Sequence, residues 1–188
     1  ELSWQSDEKD AADAVVNIKT QLALLNSQMG WPQEAEKIAE EAVLGSRLVD
    51  RQSAKVQAYA VLSMAQYYCG KYKKSIQSAR QVYQMAEDMD IIWWGTLLDL
   101  ILARDYLMLG HLDECWEYTE HAVEGKSPEI IPKLDILSYT IKGDLYRYLG
   151  DFKNSEAYYR MGNTHTLKDY ESLDQQLRLG ELLCHRGQ

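Results

Sequence analysis

The chain has 188 residues with 29 acidic against 20 basic side chains, and its net charge of −9 disfavours nucleic acid and anionic membrane as direct partners. No apolar run reaches the roughly eighteen residues that span a bilayer, and the opening ELSWQSDEKD has neither the basic nor the apolar region of a secretion signal. Cys69, Cys115 and Cys184 show no paired spacing and read as small buried residues in a reducing compartment, which places the protein in the cytoplasm.

Four glycines, Gly30, Gly70, Gly110 and Gly150, stand forty residues apart, and their surroundings repeat with them. Apolar residues between them recur at three and four, as in Leu98, Leu102, Tyr106 and Leu109, which is helical periodicity with no sustained alternation for strands. Each glycine therefore punctuates a turn between two helices. The copies run over about 12–50, 51–90, 91–130 and 131–168, with a final helix in 169–188 that covers the open face of the last pair. In the first copy Pro32 suits the first turn of the second helix. In the fourth, Pro132 opens the first helix and Asp151 can cap the second. Seven residues before each glycine stand Ala23, Ser63, Ala103 and Gly143; five after it, Ala35, Ser75, Cys115 and Ser155; twelve after it, Ala42, Val82, Ala122 and Gly162. Small residues at these fixed places let helix backbones approach closely. Gly187 reads as a shortened fifth occurrence, and the first residue, Glu rather than Met, suggests a piece of a longer protein.

This pattern resembles the tetratricopeptide repeat over nearly the whole chain, most clearly in YAVLSMAQYYCGKYKKSIQSARQVY and YTIKGDLYRYLGDFKNSEAYYRMG. The forty-residue period is similar to that of kinesin light chains, of spindle-orientation adaptors and of bacterial regulators like the maltose-regulon activator. The resemblance implies an all-α fold, a right-handed superhelix of four stacked antiparallel helix pairs plus a C-terminal capping helix, forming one elongated domain. Two positions depart from the family pattern: Lys142 stands where Leu is usual, and Asp99 where a large aromatic is usual.

In such an array the first helix of each pair lines the concave surface. Residues ten, six and three before each glycine share one helical face: Thr20, Leu24 and Ser27; Ala60, Met64 and Tyr67; Leu100, Arg104 and Leu107; Thr140, Asp144 and Arg147. The final helix adds Leu177, Glu181 and Cys184. The partner-binding groove is thus expected to comprise Met64, Tyr67, Leu100, Arg104, Leu107, Asp144 and Arg147, an apolar middle bordered by charge that fits a peptide with apolar anchors and a carboxylate. Repeats that clamp chaperone C-termini use a Lys and Asn set at these offsets; Thr20, Leu24, Ala60 and Met64 stand there instead, which argues against that role. Trp93 aligns with polar residues of the other copies and is a candidate surface contact, whereas Trp94 aligns with Ala14, Ala54 and Leu134 in the core stripe.

No phosphate loop, nucleophile elbow or zincin motif is present, so no catalytic residue, cofactor or enzyme activity is assigned. His111 and Cys115 share a helix face with His121 farther along, but a metal needs three or four converging ligands and Cys115 holds a core position, so no metal is expected. Two functions remain: an adaptor or scaffold binding a protein or peptide in the groove, or a sensory segment of a multidomain signalling protein or transcriptional regulator. Self-association stays open.

Overall fold

The structure is a computed structural model that describes residues 2–89, 92–124, 132–164 and 177–183. The described elements are α1 (Leu2–Gln28), α2 (Pro32–Ser46), α3 (Gln52–Tyr68), α4 (Tyr72–Arg80), α5 (Tyr83–Asp88), α6 (Ile92–Met108), α7 (Leu112–Glu124), α8 (Pro132–Tyr148) and α9 (Phe152–Thr164), then a helical segment at 177–183, α10. No strand occurs among the described residues. Two units divide the chain, Glu1–Trp94 and Gly95–Gln188. In the first, α1 packs on α2 and α3, α2 on α3, and α3 on α4 and α5; in the second, α7 packs on α8 and α8 on α9.

Each turn glycine adopts the left-handed conformation, with φ between 72° and 81°. The next residue donates its N–H to a carbonyl of the preceding helix: Trp31 to Asn26 at 2.9 Å, Lys71 to Gln66 at 2.8 Å, His111 to Tyr106 at 2.9 Å and Asp151 to Tyr146 at 2.9 Å. This closure satisfies the last carbonyls of the first helix and reverses the chain. Pro32 and Pro132 stand at the first turns of α2 and α8, as their missing N–H allows. At the start of α9 the backbone N–H of Asn154 donates to Asp151 Oδ1 at 3.1 Å, while Trp31 and Lys71, at the matching positions, provide no side-chain cap.

The small residues are the crossing points of the hairpins. Ala23, Ala35, Ser63, Ser75, Ala103, Cys115 and Ser155 are all fully buried, and Gly143 is buried with them. In the second hairpin Ser63 and Ser75 exchange hydrogen bonds, each hydroxyl donating to the other's carbonyl at 2.9 and 2.8 Å; in the fourth, Ser155 Oγ donates to the Gly143 carbonyl at 2.8 Å. A second contact lies one turn on. Tyr106 stacks on Tyr118 at 5.7 Å and Tyr146 on Tyr158 at 5.3 Å, while in the second hairpin Ser78 Oγ donates to Gln66 Oε1 at 2.8 Å. Gln66 breaks the aromatic pattern without breaking the contact, because its partner is a hydroxyl rather than a ring.

Two differences from the sequence-based expectation concern helix ends. α1 begins at Leu2, about ten residues before the first expected copy, since no glycine or proline interrupts the chain before Gly30. The second helix of the second pair is broken into α4 and α5: Val82 N–H reaches the Ala79 carbonyl at 3.2 Å, a tightened turn, before Ala86 N–H resumes the regular pattern to Val82 at 2.9 Å.

Enlarging a crossing residue should separate two backbones held in contact. A Cβ on Gly143 would lie 2.3 Å from Tyr159 Cε1, and Ala103 is 0% exposed. Gly143→Leu and Ala103→Leu are each expected to cost about 1–3 kcal/mol in denaturant melts; if both melt with the parent, the register is shifted. A different readout tests the cap. Backbone and side-chain hydrogen bonds from Asn154 hold the Asp151 carboxyl below the usual carboxylate range. Its contribution is present above the unfolded value of about 3.9 and is lost as pH falls through the lower folded value. Asp151→Ala should therefore be less stable than the parent at neutral pH, with the difference closing in acid. A difference independent of pH would remove the ionised cap from the explanation.

Candidate functional site

The expected groove residues sort by depth. At the position ten before each glycine, Thr20, Ala60, Leu100 and Thr140 are all buried, and the two threonines turn their hydroxyls back to the Val16 and Ile136 carbonyls at 2.7 and 2.8 Å. Leu100 and Leu107 are 0% and 3% exposed, so in this conformation they are packing residues out of a partner's reach. The reason lies in α6 itself. Its sequence IWWGTLLDLILARDYLM is apolar around most of the circumference, and such a helix is enclosed by its neighbours rather than lying on a surface. Met64, Tyr67, Arg104 and Arg147 are half-buried. Met64 and Tyr67 lie on α3 of the first unit, where the Tyr67 ring meets Tyr68 edge-on at 5.4 Å and Tyr72 at 5.5 Å. Arg104, Asp144 and Arg147 lie on α6 and α8 of the second.

Asp144 is buried and committed. Tyr159 donates its hydroxyl to Oδ1 at 2.6 Å, Arg178 of α10 donates Nη1 to Oδ2, and Arg147 Nη2 stands at 3.5 Å from Oδ1. Burial pushes the Tyr159 phenol up, and the neighbouring Asp144 carboxylate adds to that shift, so the phenol stays the donor in this pair. Of the expected set, then, Asp144 and Arg147 are brought together, while Asp144 serves the protein's own α10. Arg178 and Tyr159 were not legible as site residues. The available signal for Tyr159 was Gly143: a glycine at the crossing leaves room for a large ring, and the positions equivalent to Tyr159 in the first two hairpins hold Ala39 and Ala79. Leu177 and Glu181 are exposed on α10, while Cys184 and the Trp93 side chain lie outside the described residues.

Both departures from the family pattern are buried and paired with α7. Asp99, 2% exposed, lies 2.9 Å from His121 Nδ1, and Lys142, 8% exposed, lies 2.7 Å from Glu120 with its ammonium over the Tyr158 ring at 5.6 Å. Cys115 is 0% exposed, and burial pushes its thiol up to about 11, which leaves it protonated and unsuited to nucleophilic or metal chemistry. Among the described residues no three His, Cys, Asp or Glu side chains converge as metal ligands.

Residues 136–160, which contain the Gly143–Ser155 crossing and the Gly150 turn, match the family model of the tetratricopeptide repeat. These residues match one tetratricopeptide repeat, and the fold of the chain is TPR-like. Its fold is shared with the nearly identical TPR-like repeats of a kinesin light chain candidate from Podosopora anserina, at 17% identity and a TM-score of 0.66 over 93% of this chain and 88% of that one. It is shared also with BtubC (BKLC) from P. vanneervenii, at 14% identity and a TM-score of 0.69 over 94% and 74%. Among curated proteins none matches the sequence. Within the fourth tetratricopeptide hairpin, Asp144 ties α8 to α9 and α10, so losing a partner should be costly there. Tyr159→Phe and Arg178→Ala are each expected to destabilise by about 1–3 kcal/mol, the arginine value being moderated by its partial exposure. The double variant should lose less than the sum, because both act on one carboxylate. Additive losses in urea melts would show that the two contacts are independent.

Proposed function

We propose that the chain is a non-enzymatic interaction module that holds a partner protein or peptide. In this reading Arg104 and Arg147 of the second unit take an acidic side chain or C-terminal carboxylate of the partner, while Met64 and Tyr67 are a separate candidate for apolar contact on the first unit. The observation that carries it is the state of Arg147. Its natural counter-ion, Asp144, is already bound by Tyr159 and Arg178, so Arg147 keeps only a 3.5 Å contact to it. The Arg147 side chain is 34% exposed, and its buried Nε makes no hydrogen bond among the described residues. The exposed end of such a guanidinium has donors to give, and the planar group suits a carboxylate. Arg104, half-buried on α6, adds a second positive charge within the same unit. In a chain of net charge −9 such a site is local, which favours an acidic group presented on an apolar segment over a polyanion.

Free Cys69 and Cys115 support a reducing, cytoplasmic setting. No helix among the described residues is long and apolar enough to cross a membrane. Tetratricopeptide repeats generally bind proteins, so the finer claim is the carboxylate. It is tested with a library of fluorescent peptides that carry apolar residues and end in either a free carboxylate or an amide. Free-acid or acidic peptides should bind, and Arg147→Glu and Arg104→Glu should each weaken them by about tenfold or more, as loss of a charge-assisted hydrogen bond implies. Melting temperatures should fall by no more than a few degrees. Undiminished binding in the double arginine variant would place the partner elsewhere.

A further inference from the structure

Helix α1 is apolar on two opposite faces. On one, Val16 and Ala23 are buried, Val16 packed with Val49 and Ala54 and Ala23 with Ala39 and Val43. On the other, Val15, Ile18, Leu22, Leu25 and Met29 are 51%, 66%, 46%, 53% and 60% exposed. Their spacing is three, four, three, four, the seam with which one long helix pairs with another. A single exposed leucine is ordinary, but four apolar side chains in register along one helix, continued by Met29 in the turn that follows, mark an interaction face.

The repeat itself shows what belongs there. Forty residues on, the register of Ile18, Leu22 and Leu25 is occupied by Ala58, Leu62 and Ala65 of α3, which are 0%, 6% and 0% exposed, and α3 packs on α1 and α2. In α8 the same register holds Ser138, Lys142 and Leu145, also buried, with Lys142 paired to Glu120 of α7. In both later helices, then, this face is covered by other helices, whereas on α1 its large apolar residues stand open.

Charge narrows the occupant. Between Ala14 and Met29 the only charged residue is Lys19, and it is held by Glu41 at 2.8 Å. A charged partner finds nothing to pair with along this seam, while two copies of a chain of net charge −9 meet here without an acid on the contact line. The seam is also self-complementary. Laid antiparallel about a two-fold axis at Leu22, it sets Leu22 on its own equivalent and Val15 opposite Met29. We propose that α1 docks against α1 of a second copy of this chain in that antiparallel arrangement, which goes beyond carboxylate recognition and does not depend on it.

Sedimentation equilibrium and light scattering on the whole chain test this from about 1 to about 100 µM, where association is governed by mass action. The mass should rise from 21.7 kDa towards twice that value. Ile18→Glu and Leu25→Glu should weaken the dimer at least about tenfold. Both side chains are exposed in the single copy, so these variants should keep the parent's melting temperature at the lowest concentration. Under mild oxidation Leu22→Cys should give a covalent dimer, and Val15→Cys alone should not. A monomer at every concentration overturns the proposal, as does a dimer that both glutamate variants leave intact. A monomer that captures a different helical protein through Leu22 overturns it too, by assigning the face to another occupant. Arg104→Glu and Arg147→Glu should leave the dimer unchanged, so failure here is separate from failure of the carboxylate reading.

Discussion

Everything in this molecule depends on how closely the two helices of each hairpin can cross. That distance is set where a residue seven before the turn glycine meets one five after it, and all eight residues at these places are buried. Alanine and cysteine solve the crossing by small size alone. Serine solves it with a hydrogen bond, at Ser63 and Ser75 and again from Ser155 to the Gly143 carbonyl. The positive-φ glycine then returns the chain at a fixed angle, because the next N–H closes onto the preceding helix in every copy. Close crossing and fixed return together make the inner and outer faces recur at constant offsets.

A change at one crossing residue propagates through the fourth hairpin. With no Cβ at Gly143, there is room for the Tyr159 ring where the other hairpins carry the smaller Ala39, Ala79 and Thr119, and its hydroxyl reaches inward to Asp144. The carboxylate, once buried, requires more partners, and Arg178 of α10 supplies one. Packing at one crossing therefore fixes the ionic arrangement around Asp144. The same logic holds on α7, where His121 and Glu120 compensate the buried Asp99 and Lys142. These two residues looked like flaws in the repeat, and they are instead cross-helix pairs.

What the sequence by itself determined was the periodic part: the turns, the crossing residues, the Pro32 and Pro132 helix starts and the Asp151 cap. Each is a local property of backbone conformation or side-chain size, and a forty-residue repeat displays the turns and crossings four times over. Depth was another matter. An offset from a glycine gives the direction of a side chain around its helix, but burial depends on how much of that helix the neighbours enclose. α6 is enclosed on most sides, so Leu107 belongs to the core although Tyr67, at the same offset on α3, stays half-buried. The ionic partners of Asp144 were equally out of reach, since Tyr159 and Arg178 lie 15 and 34 residues away and meet it only once α8, α9 and α10 have packed. Only tertiary structure decided these points, because solvent exposure and ion pairing between helices are properties of the assembled surface and not of any one segment.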